Sequence, residues 1–357
     1  MMKKEQPKYI TLYEEIREAI VNGSFPYGSK IPSKRTLADT KNLSLISVEH
    51  ACELLIEEGY IEPRARSGYY VIYRDSDFMH VEKTQPQKEA VSASDEYVFP
   101  LSVYTSAVRR VLSEKGGEIL NRTEGRGCHE IRSAIASYLN RSRGMHIHPD
   151  QVVIGAGSEY LYSLIVQLLG RDRLYAIEDP CYENIIRMYE HNDVKTDHLK
   201  LGTNGIQSEE LKRTEASVLH VTPYHSYPSG RSTDASKRME YIRWAEKRDA
   251  FIVEDDYESE FSPLLKAQET LFSMEPLEHV IYLNSFTRTI APSMRVGYMI
   301  LPEKYTEEFL KQISSSSCTV SSLSQYVISK LLNDGSFERH INRVRRKLRK
   351  NRNQTID

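Results

Sequence analysis

Residues 281–300, IYLNSFTRTIAPSMRVGYMI, predict two strands joined by a polar turn. The segment opens with the strand-forming residues 281–283, continues through a turn rich in serine and threonine, and ends on Arg295, Gly297 and a second apolar run. Small hydroxyl groups followed by a cation suit an anionic ligand, most naturally a phosphate. Taken alone, however, the segment is better explained as an ordinary strand, turn and strand of an α/β domain.

Two neighbouring segments add anion-binding and acidic groups. QVVIGAGSEYLYSLIVQLLG (151–170) predicts a strand, a small-residue turn and a helix, and the free N–H groups of such a turn suit an anion. AFIVEDDYESEF (250–261) predicts a strand that ends in Glu254, Asp255 and Asp256. Three acids suggest a metal or proton-transfer site, but no histidine or cysteine accompanies them at ligand spacing. The combination fits better a phosphorylated aromatic cofactor whose ring nitrogen an acid stabilises.

Length and composition set the class of protein. A chain of 357 residues predicts two folding units, and 39% hydrophobic with 27% charged residues is ordinary for a soluble globular protein. The formal net charge is −2, so nucleic-acid binding would depend on a local patch. We find no signal peptide and no apolar run of about 18 residues, the length that a membrane span needs. The sequence therefore predicts a cytoplasmic protein with no membrane association.

The four cysteines indicate reduced thiols. They are widely spaced, form no C-x-x-C pair and are not accompanied by histidine at zinc spacing. They are Cys52, Cys128, Cys181 and Cys318. We therefore expect neither a structural metal nor a disulfide.

The first 75 residues predict a winged helix-turn-helix. An amphipathic helix over 12–21 is followed by a short helix over 34–40 that Ser33 caps. A longer helix, capped by Ser44 or Ser47, runs to Glu58, and the β-prone runs YIEPR and SGYYVIY then read as a hairpin. The alternative is a winged helix used for protein contacts.

Candidate DNA-binding side chains lie at the helix starts and at the hairpin tip. Cations at the start of the short helix suit a phosphate, the start of the longer helix suits base edges, and arginines on the wing reach the backbone or minor groove. The candidates are Lys34, Arg35, Ser44, Ser47, Glu49, His50, Arg64 and Arg66.

The rest of the chain divides into a linker and an α/β domain. Residues 76–96 are polar and lack an apolar period, which is typical of a flexible linker. Residues 97–357 alternate helices with short apolar strands. We therefore expect a DNA-binding domain over 1–75, the linker over 76–96 and a second domain over 97–357.

Both domains resemble known families. YEEIREAIVNGSFPYGSKIPSKRTLA (13–38) and GYIEPRARSGYYV (59–71) resemble the DNA-binding domain of GntR-type bacterial regulators. The motifs A-G-S-E, E-D-P-x-Y, V-T-P-x-H-x-x-P-S-G, E-D-D-Y-x-S-E-F and S-F-x-R-T-x-A-P-x-x-R-x-G-Y occur in the order found in fold-type I aminotransferases. The chain as a whole is similar to MocR-type (GabR-like) regulators, in which these two domains are fused. Their fold is a winged helix-turn-helix plus an α/β/α pyridoxal phosphate (PLP)-dependent transferase-like domain.

The resemblance implies a role for each cofactor-site residue. Asp255 would pair with the pyridine nitrogen, Tyr257 and His225 would contact the ring hydroxyl, and Tyr182 would stack on the ring. The phosphate would be held by Gly157, Ser158, Ser285, Thr287 and Arg295.

Three departures from the family pattern limit what the resemblance implies. Arg288 occupies the position of the Schiff-base lysine, and the nearest lysines, Lys266 and Lys304, lie outside the turn. A guanidinium cannot readily supply the neutral amine that catalysis requires. Leu45 and Ile46 stand where relatives carry polar or basic groups. The family's small C-terminal domain, which holds the substrate carboxylate, is expected to be truncated.

The sequence thus predicts a homodimeric regulator that binds double-stranded DNA. Its second domain would sense PLP, an amino acid or their adduct without catalysis, and Arg288 would allow noncovalent binding. Two alternatives are an active PLP-dependent aminotransferase and a degenerate regulator that binds no cofactor.

Overall fold

A computed structural model of the chain describes residues 8–64, 67–73, 99–257, 259–262, 269–275, 278–313 and 316–354. The chain separates into two compact units, Met1–Val91 and Ser92–Asp357. The predicted linker over 76–96 lies outside the described residues, as does Arg66. No helix in the described ranges is long and apolar enough to cross a membrane.

The described part of the smaller unit contains three helices and a two-stranded antiparallel sheet. Leu12, Ile16 and Ile20 recur every fourth residue on the first helix, so they form one buried stripe that packs on the third helix. The hairpin pairs Ile61 with Val71. In chain order the elements are α1 Lys8–Val21, α2 Lys34–Lys41, α3 Leu45–Glu57, β1 Ile61–Arg64 and β2 Gly68–Val71.

Serines cap α2 and α3 of this unit. Ser33 is the N-cap of α2 and accepts a hydrogen bond from the backbone N–H of Thr36 at 3.2 Å, as predicted. Of the two candidate caps for α3, Ser44 has the extended backbone that an N-cap requires and accepts from the N–H of Ser47 at 3.1 Å. The structure therefore resolves the alternative in favour of Ser44.

In the larger unit, the described residues form a seven-stranded sheet of order β3-β9-β8-β7-β6-β4-β5. Strand β9 is antiparallel to both of its neighbours, and the other pairs are parallel. The strands are β3 Val152–Gly155, β4 Leu174–Asp179, β5 Lys195–Lys200, β6 Val218–Val221, β7 Phe251–Asp255, β8 Val280–Ser285 and β9 Gly297–Ile300.

Helices cover both faces of this sheet. Alternate strand residues enter different hydrophobic clusters: Ile252 packs with α5, α9, α12 and α13, whereas Val253 packs with α6, α7 and α11. The result is a three-layer α/β/α domain. The helices are α4 Leu101–Lys115, α5 His129–Arg143, α6 Ser158–Leu169, α7 Glu183–His191, α8 Ser208–Arg213, α9 Ala235–Arg248, α10 Leu271–Met274, α11 Thr306–Ile313, α12 Ser322–Asn333 and α13 Ser336–Gln354.

The same alternation separates the three acids at the end of β7. Asp255 points toward the α6 side of the sheet, where Tyr162 donates a hydrogen bond to it. Glu254 lies on the opposite face and accepts from the N–H groups of Leu271 and Phe272 at 2.8 and 2.9 Å. The three carboxylates therefore do not form one cluster. Among the described residues, no group of three or more His, Cys, Asp or Glu side chains could hold a metal ion.

Candidate functional site

A cavity of about 390 Å³ opens at the carboxyl ends of β4, β6, β7 and β8, next to the start of α6. Open α/β sheets bind ligands at this edge because the loops that follow parallel strands converge there. All of the predicted cofactor-site residues except Gly157 line the cavity, and Gly157 adjoins it. The lining residues among them are Ser158, Tyr182, His225, Asp255, Tyr257, Ser285, Thr287, Arg288 and Arg295.

One end of the cavity is suited to an anion. Gly157, whose φ is +89°, precedes the first turn of α6, and a Cβ atom at this position would lie 3.3 Å from the guanidinium carbon of Arg295. The absence of a side chain thus leaves the N–H groups at the start of α6 open beside a cation. Hydroxyl groups of Ser285 and Thr287 line the same cavity. This donor set fits a phosphate group.

Glu159 was missed by the sequence analysis, although the A-G-S-E motif contains it. Its Oε2 lies 2.6 Å from Nη2 of Arg295, and both side chains are partly exposed. A carboxylate therefore already occupies part of the hydrogen-bonding capacity of Arg295. A phosphate at this end of the cavity would compete with that carboxylate.

Asp255 is held in a fixed orientation inside the cavity wall. The hydroxyl of Tyr162 donates to Oδ2 of Asp255, and burial raises the pKa of Tyr162 well above its usual range, so this phenol remains a donor. His220 lies behind the carboxylate, with Nε2 3.7 Å from Oδ2, and its Nδ1 is 2.7 Å from the hydroxyl of Tyr189. A preoriented carboxylate of this kind can stabilise a protonated ring nitrogen.

Aromatic side chains form the more open side of the cavity. Tyr182 and Tyr227 meet edge to face with ring centroids 6.0 Å apart, and both rings are exposed. Ser226, which precedes Tyr227, donates to buried Glu178 at 2.6 Å, and burial raises the pKa of Glu178 to about 7. This hydrogen bond ties the loop that carries His225 to the end of β4.

Arg288 lines the cavity, whereas no lysine of the described chain does. Lys304 forms an ion pair with Glu278 at 3.4 Å, away from the cavity, and Lys266 is outside the described ranges. The cavity thus fits a phosphorylated pyridine through its anion end and Asp255. None of the described residues that line it offers the amine needed for a covalent bond.

In the smaller unit, the predicted DNA-binding residues lie in three places. Lys34 begins α2 and is paired with Glu49 of α3, while Arg35 beside it is exposed. His50 is also exposed, and its ring meets that of Tyr9 edge to face at 5.7 Å.

The other candidates are at the α3 cap and on the hairpin. The hydroxyls of Ser44 and Ser47 are 2.9 Å apart and bond to each other. The Arg64 guanidinium lies 4.3 Å from the ring centroid of Tyr70 and is bonded to Glu62 at 2.9 Å. Arg64 therefore lies on the hairpin face with its charge partly neutralised.

Comparisons with known proteins identify a matching family for each of the two parts of the chain. Residues 93–357 match the family of class I and II aminotransferases, and residues 8–71 match bacterial regulatory proteins of the gntR family. The Bacillus subtilis protein YdeL, an uncharacterized HTH-type transcriptional regulator, is 32% identical over 97% of this chain and 78% of its own length. The Corynebacterium glutamicum pyridoxine biosynthesis transcriptional regulator PdxR is 27% identical over 97% and 77%.

Solved aminotransferases share the fold of the larger unit. Pyrococcus horikoshii kynurenine aminotransferase has a TM-score of 0.64 at 20% identity, with 70% of this chain and 64% of that enzyme covered. Thermus thermophilus α-aminoadipate aminotransferase LysN has a TM-score of 0.63 at 24% identity, with 71% and 65% covered. The chain thus spans just under two thirds of these enzymes, and the likeness shows the fold.

Proposed function

The chain belongs to the class I and II aminotransferase family and carries a gntR-family DNA-binding domain, and from this premise we propose that it is a ligand-sensing transcription regulator. The ligand is PLP, an amino-acid-type molecule or their adduct, and it binds without a covalent bond to the protein. The observation that supports this proposal is a cavity with an anion end, an oriented Asp255 and Arg288 where a lysine would be needed.

We propose that side chains from each wall of the cavity bind a different part of the ligand. When bound, PLP supplies an electron-withdrawing ring and an aldehyde that reacts with amines. Asp255, oriented by Tyr162, stabilises the ring nitrogen, Tyr182 packs on the ring, and His225 and Tyr257 bond to the ring hydroxyl. The phosphate is held by Gly157, Ser158, Ser285, Thr287 and Arg295.

Arg288 is the residue from which we infer that the site binds a ligand without catalysis. An arginine guanidinium is cationic throughout the physiological pH range, so it offers no neutral amine and accepts no proton. It can instead donate hydrogen bonds to a carbonyl or carboxylate oxygen of the ligand. We therefore propose that the site binds and does not transform its ligand.

Ligand binding would act on DNA through a homodimer. We propose a DNA-binding domain over 1–75, a linker over 76–96 and a ligand-binding domain over 97–357. A ligand that favours one arrangement of two larger domains changes the spacing of the two DNA-binding domains. The name of the relative PdxR, which links that protein to pyridoxine biosynthesis, supports a ligand of the pyridoxal type.

Titration of PLP against thermal stability tests the proposal. We expect a saturable rise in Tm, since a ligand at 100 times its Kd stabilises the folded state by about 2.7 kcal/mol. Asp255→Asn should weaken PLP binding about 10- to 100-fold, because a hydrogen bond to a charged group contributes about 1.5–3 kcal/mol. Asp172→Asn, at an exposed turn outside the cavity, is the matched control. An unchanged Tm at saturating PLP would favour the cofactor-free alternative.

Glu159→Gln should tighten the binding of phosphate-bearing ligands. Removing the carboxylate charge beside Arg295 removes its repulsion of the phosphate, and partly exposed ion pairs of this kind contribute up to about 1 kcal/mol. We expect about a fivefold lower Kd for PLP and little change for unphosphorylated pyridoxal. Glu190→Gln, on the exposed side of α7, is the control. Equal tightening for both ligands would show that Glu159 does not act on the phosphate.

A further inference from the structure

Two large apolar side chains are exposed at the start of α3. Leu45 is 53% and Ile46 68% exposed, and they are the first two residues of the helix. The face of α3 that packs on the core begins later, at Val48, and continues through Ala51 and Leu55. Leu45 and Ile46 therefore point away from the core and contribute little to folding.

The polar side chains around these two residues are already bonded within the unit. Ser44 and Ser47 bond to each other and to the helix backbone. Glu49 is paired with Lys34, and the ring of His50 packs against Tyr9. Leu45 and Ile46 therefore form exposed apolar surface beside polar side chains that are bonded within the unit.

The gntR-family match identifies the chemistry of a partner for this surface. In a helix-turn-helix motif the second helix is the recognition helix, and its first residues lie in the major groove next to the base edges. In this chain that helix is α3. The apolar group that the major groove presents is the C5-methyl group of thymine. We propose that Leu45 and Ile46 contact thymine methyl groups, so that this regulator selects T·A base pairs opposite the start of α3. The inference rests on the DNA-binding function of the domain.

Replacement of thymine by deoxyuridine tests this contact, because it removes the methyl group and leaves base pairing intact. The full-length protein is first used to select duplexes from a random library. Each thymine of the selected duplex is then replaced singly, and Kd is measured at fixed salt. We expect a three- to fivefold loss of affinity at one or more positions, about the effect of one buried methyl-sized group.

Alanine variants connect the lost methyl groups to these two side chains. In Leu45→Ala or Ile46→Ala, deoxyuridine at the position read by the truncated residue should cost no further affinity. Val21→Ala, which shortens an exposed apolar side chain at the end of α1, should keep the full deoxyuridine effect. Thermal melting of each variant shows whether the domain remains folded.

Three other outcomes would overturn the proposal in distinguishable ways. Selected duplexes that tolerate deoxyuridine at every position would exclude methyl contacts while leaving DNA binding intact. Variants that retain the wild-type deoxyuridine effect would assign the methyl contact to other residues. A library that yields no enriched sequence would overturn both this inference and sequence-specific DNA binding.

Discussion

Arg288→Lys is expected to give the cavity a covalent bond to PLP that none of its described lining residues offers in the natural chain. The amine of the new lysine condenses with the aldehyde and releases water, and borohydride then reduces the C=N bond to a stable secondary amine. The other features of the cavity, its anion end and Asp255, are unchanged by the substitution. Mass spectrometry of the reduced protein should show one added cofactor, and peptide mapping should locate it at residue 288.

Three controls make the trapping result specific. Wild-type protein and Arg288→Met should show no adduct at this residue, because neither carries an amine there. Surface lysines such as Lys304 react weakly with free aldehyde, so the mapped position and not the total mass decides the result. Arg295→Met in the Arg288→Lys background should lower the yield at limiting PLP. If Arg288→Lys traps no more cofactor at residue 288 than wild type, the cavity does not orient PLP as proposed.

Much of the cavity could be predicted from the sequence because its residues follow strands that are easy to recognise. The apolar runs on either side of the turn at Ser285–Thr287 become β8 and β9, and the run before Asp255 becomes β7. Carboxyl ends of adjacent parallel strands meet at one edge of a sheet, so residues that are far apart in the sequence, from Gly157 to Arg295, come together there. The strand pattern does not identify the phosphorylated ligand that these residues suit. The family resemblance does.

Residues on the helix side of the cavity were harder to predict. Tyr162 lies one helical turn after Ser158 on α6, and both residues line the cavity. Residues four apart share a helix face, so this spacing was the signal in the sequence that could have identified Tyr162. Its hydrogen bond to Asp255 depends on how α6 packs on the sheet, which no local pattern reveals. Glu159 had a plain signal in the sequence, because it is an acid directly beside a predicted phosphate site.

Strand β5 is an element that the sequence pattern does not predict, for a different reason. Its sequence, KTDHLK, is largely polar because it is the edge strand of the sheet and pairs with one neighbour, β4. Edge strands are commonly protected from aggregation by charged residues, and those residues hide the apolar alternation that identifies a strand. The sequence pattern therefore does not predict this strand, and tertiary pairing determines its conformation.

Arg143→Met is expected to destabilise the larger unit strongly. The side chains of Arg143 and Asp256 are 3% and 5% exposed, with Nη2 and Oδ2 3.2 Å apart. The hydroxyl of Tyr282 also donates to Asp256 at 2.7 Å. Removing one partner of a buried ion pair leaves an uncompensated charge and typically costs about 3–5 kcal/mol. Urea unfolding followed by Trp244, the one tryptophan of the sequence, measures the loss.

The cost of Arg143→Met should depend on pH because Glu260 shares the same buried region. Burial, and then the charge of Asp256, raise the pKa of Glu260 to about 7, while Arg143 opposes that rise. A carboxyl whose pKa is raised on folding stabilises the folded state below its unfolded pKa, and that contribution is lost as pH rises through about 7. Without Arg143 the pKa of Glu260 rises further, so the folding defect should be larger at pH 8 than at pH 6.

A neighbouring arginine on the same helix supplies the control for this stability prediction. Arg141 pairs with Glu338 at 2.8 Å, but its side chain is 51% exposed, so Arg141→Met should cost at most about 1 kcal/mol, with little change between pH 6 and pH 8. The double variant Arg143→Met, Asp256→Asn should recover part of the loss, since it removes the uncompensated charge and leaves an amide oxygen for Tyr282. Equal losses for Arg141→Met and Arg143→Met would mean that water screens the Arg143–Asp256 pair as it does a surface pair.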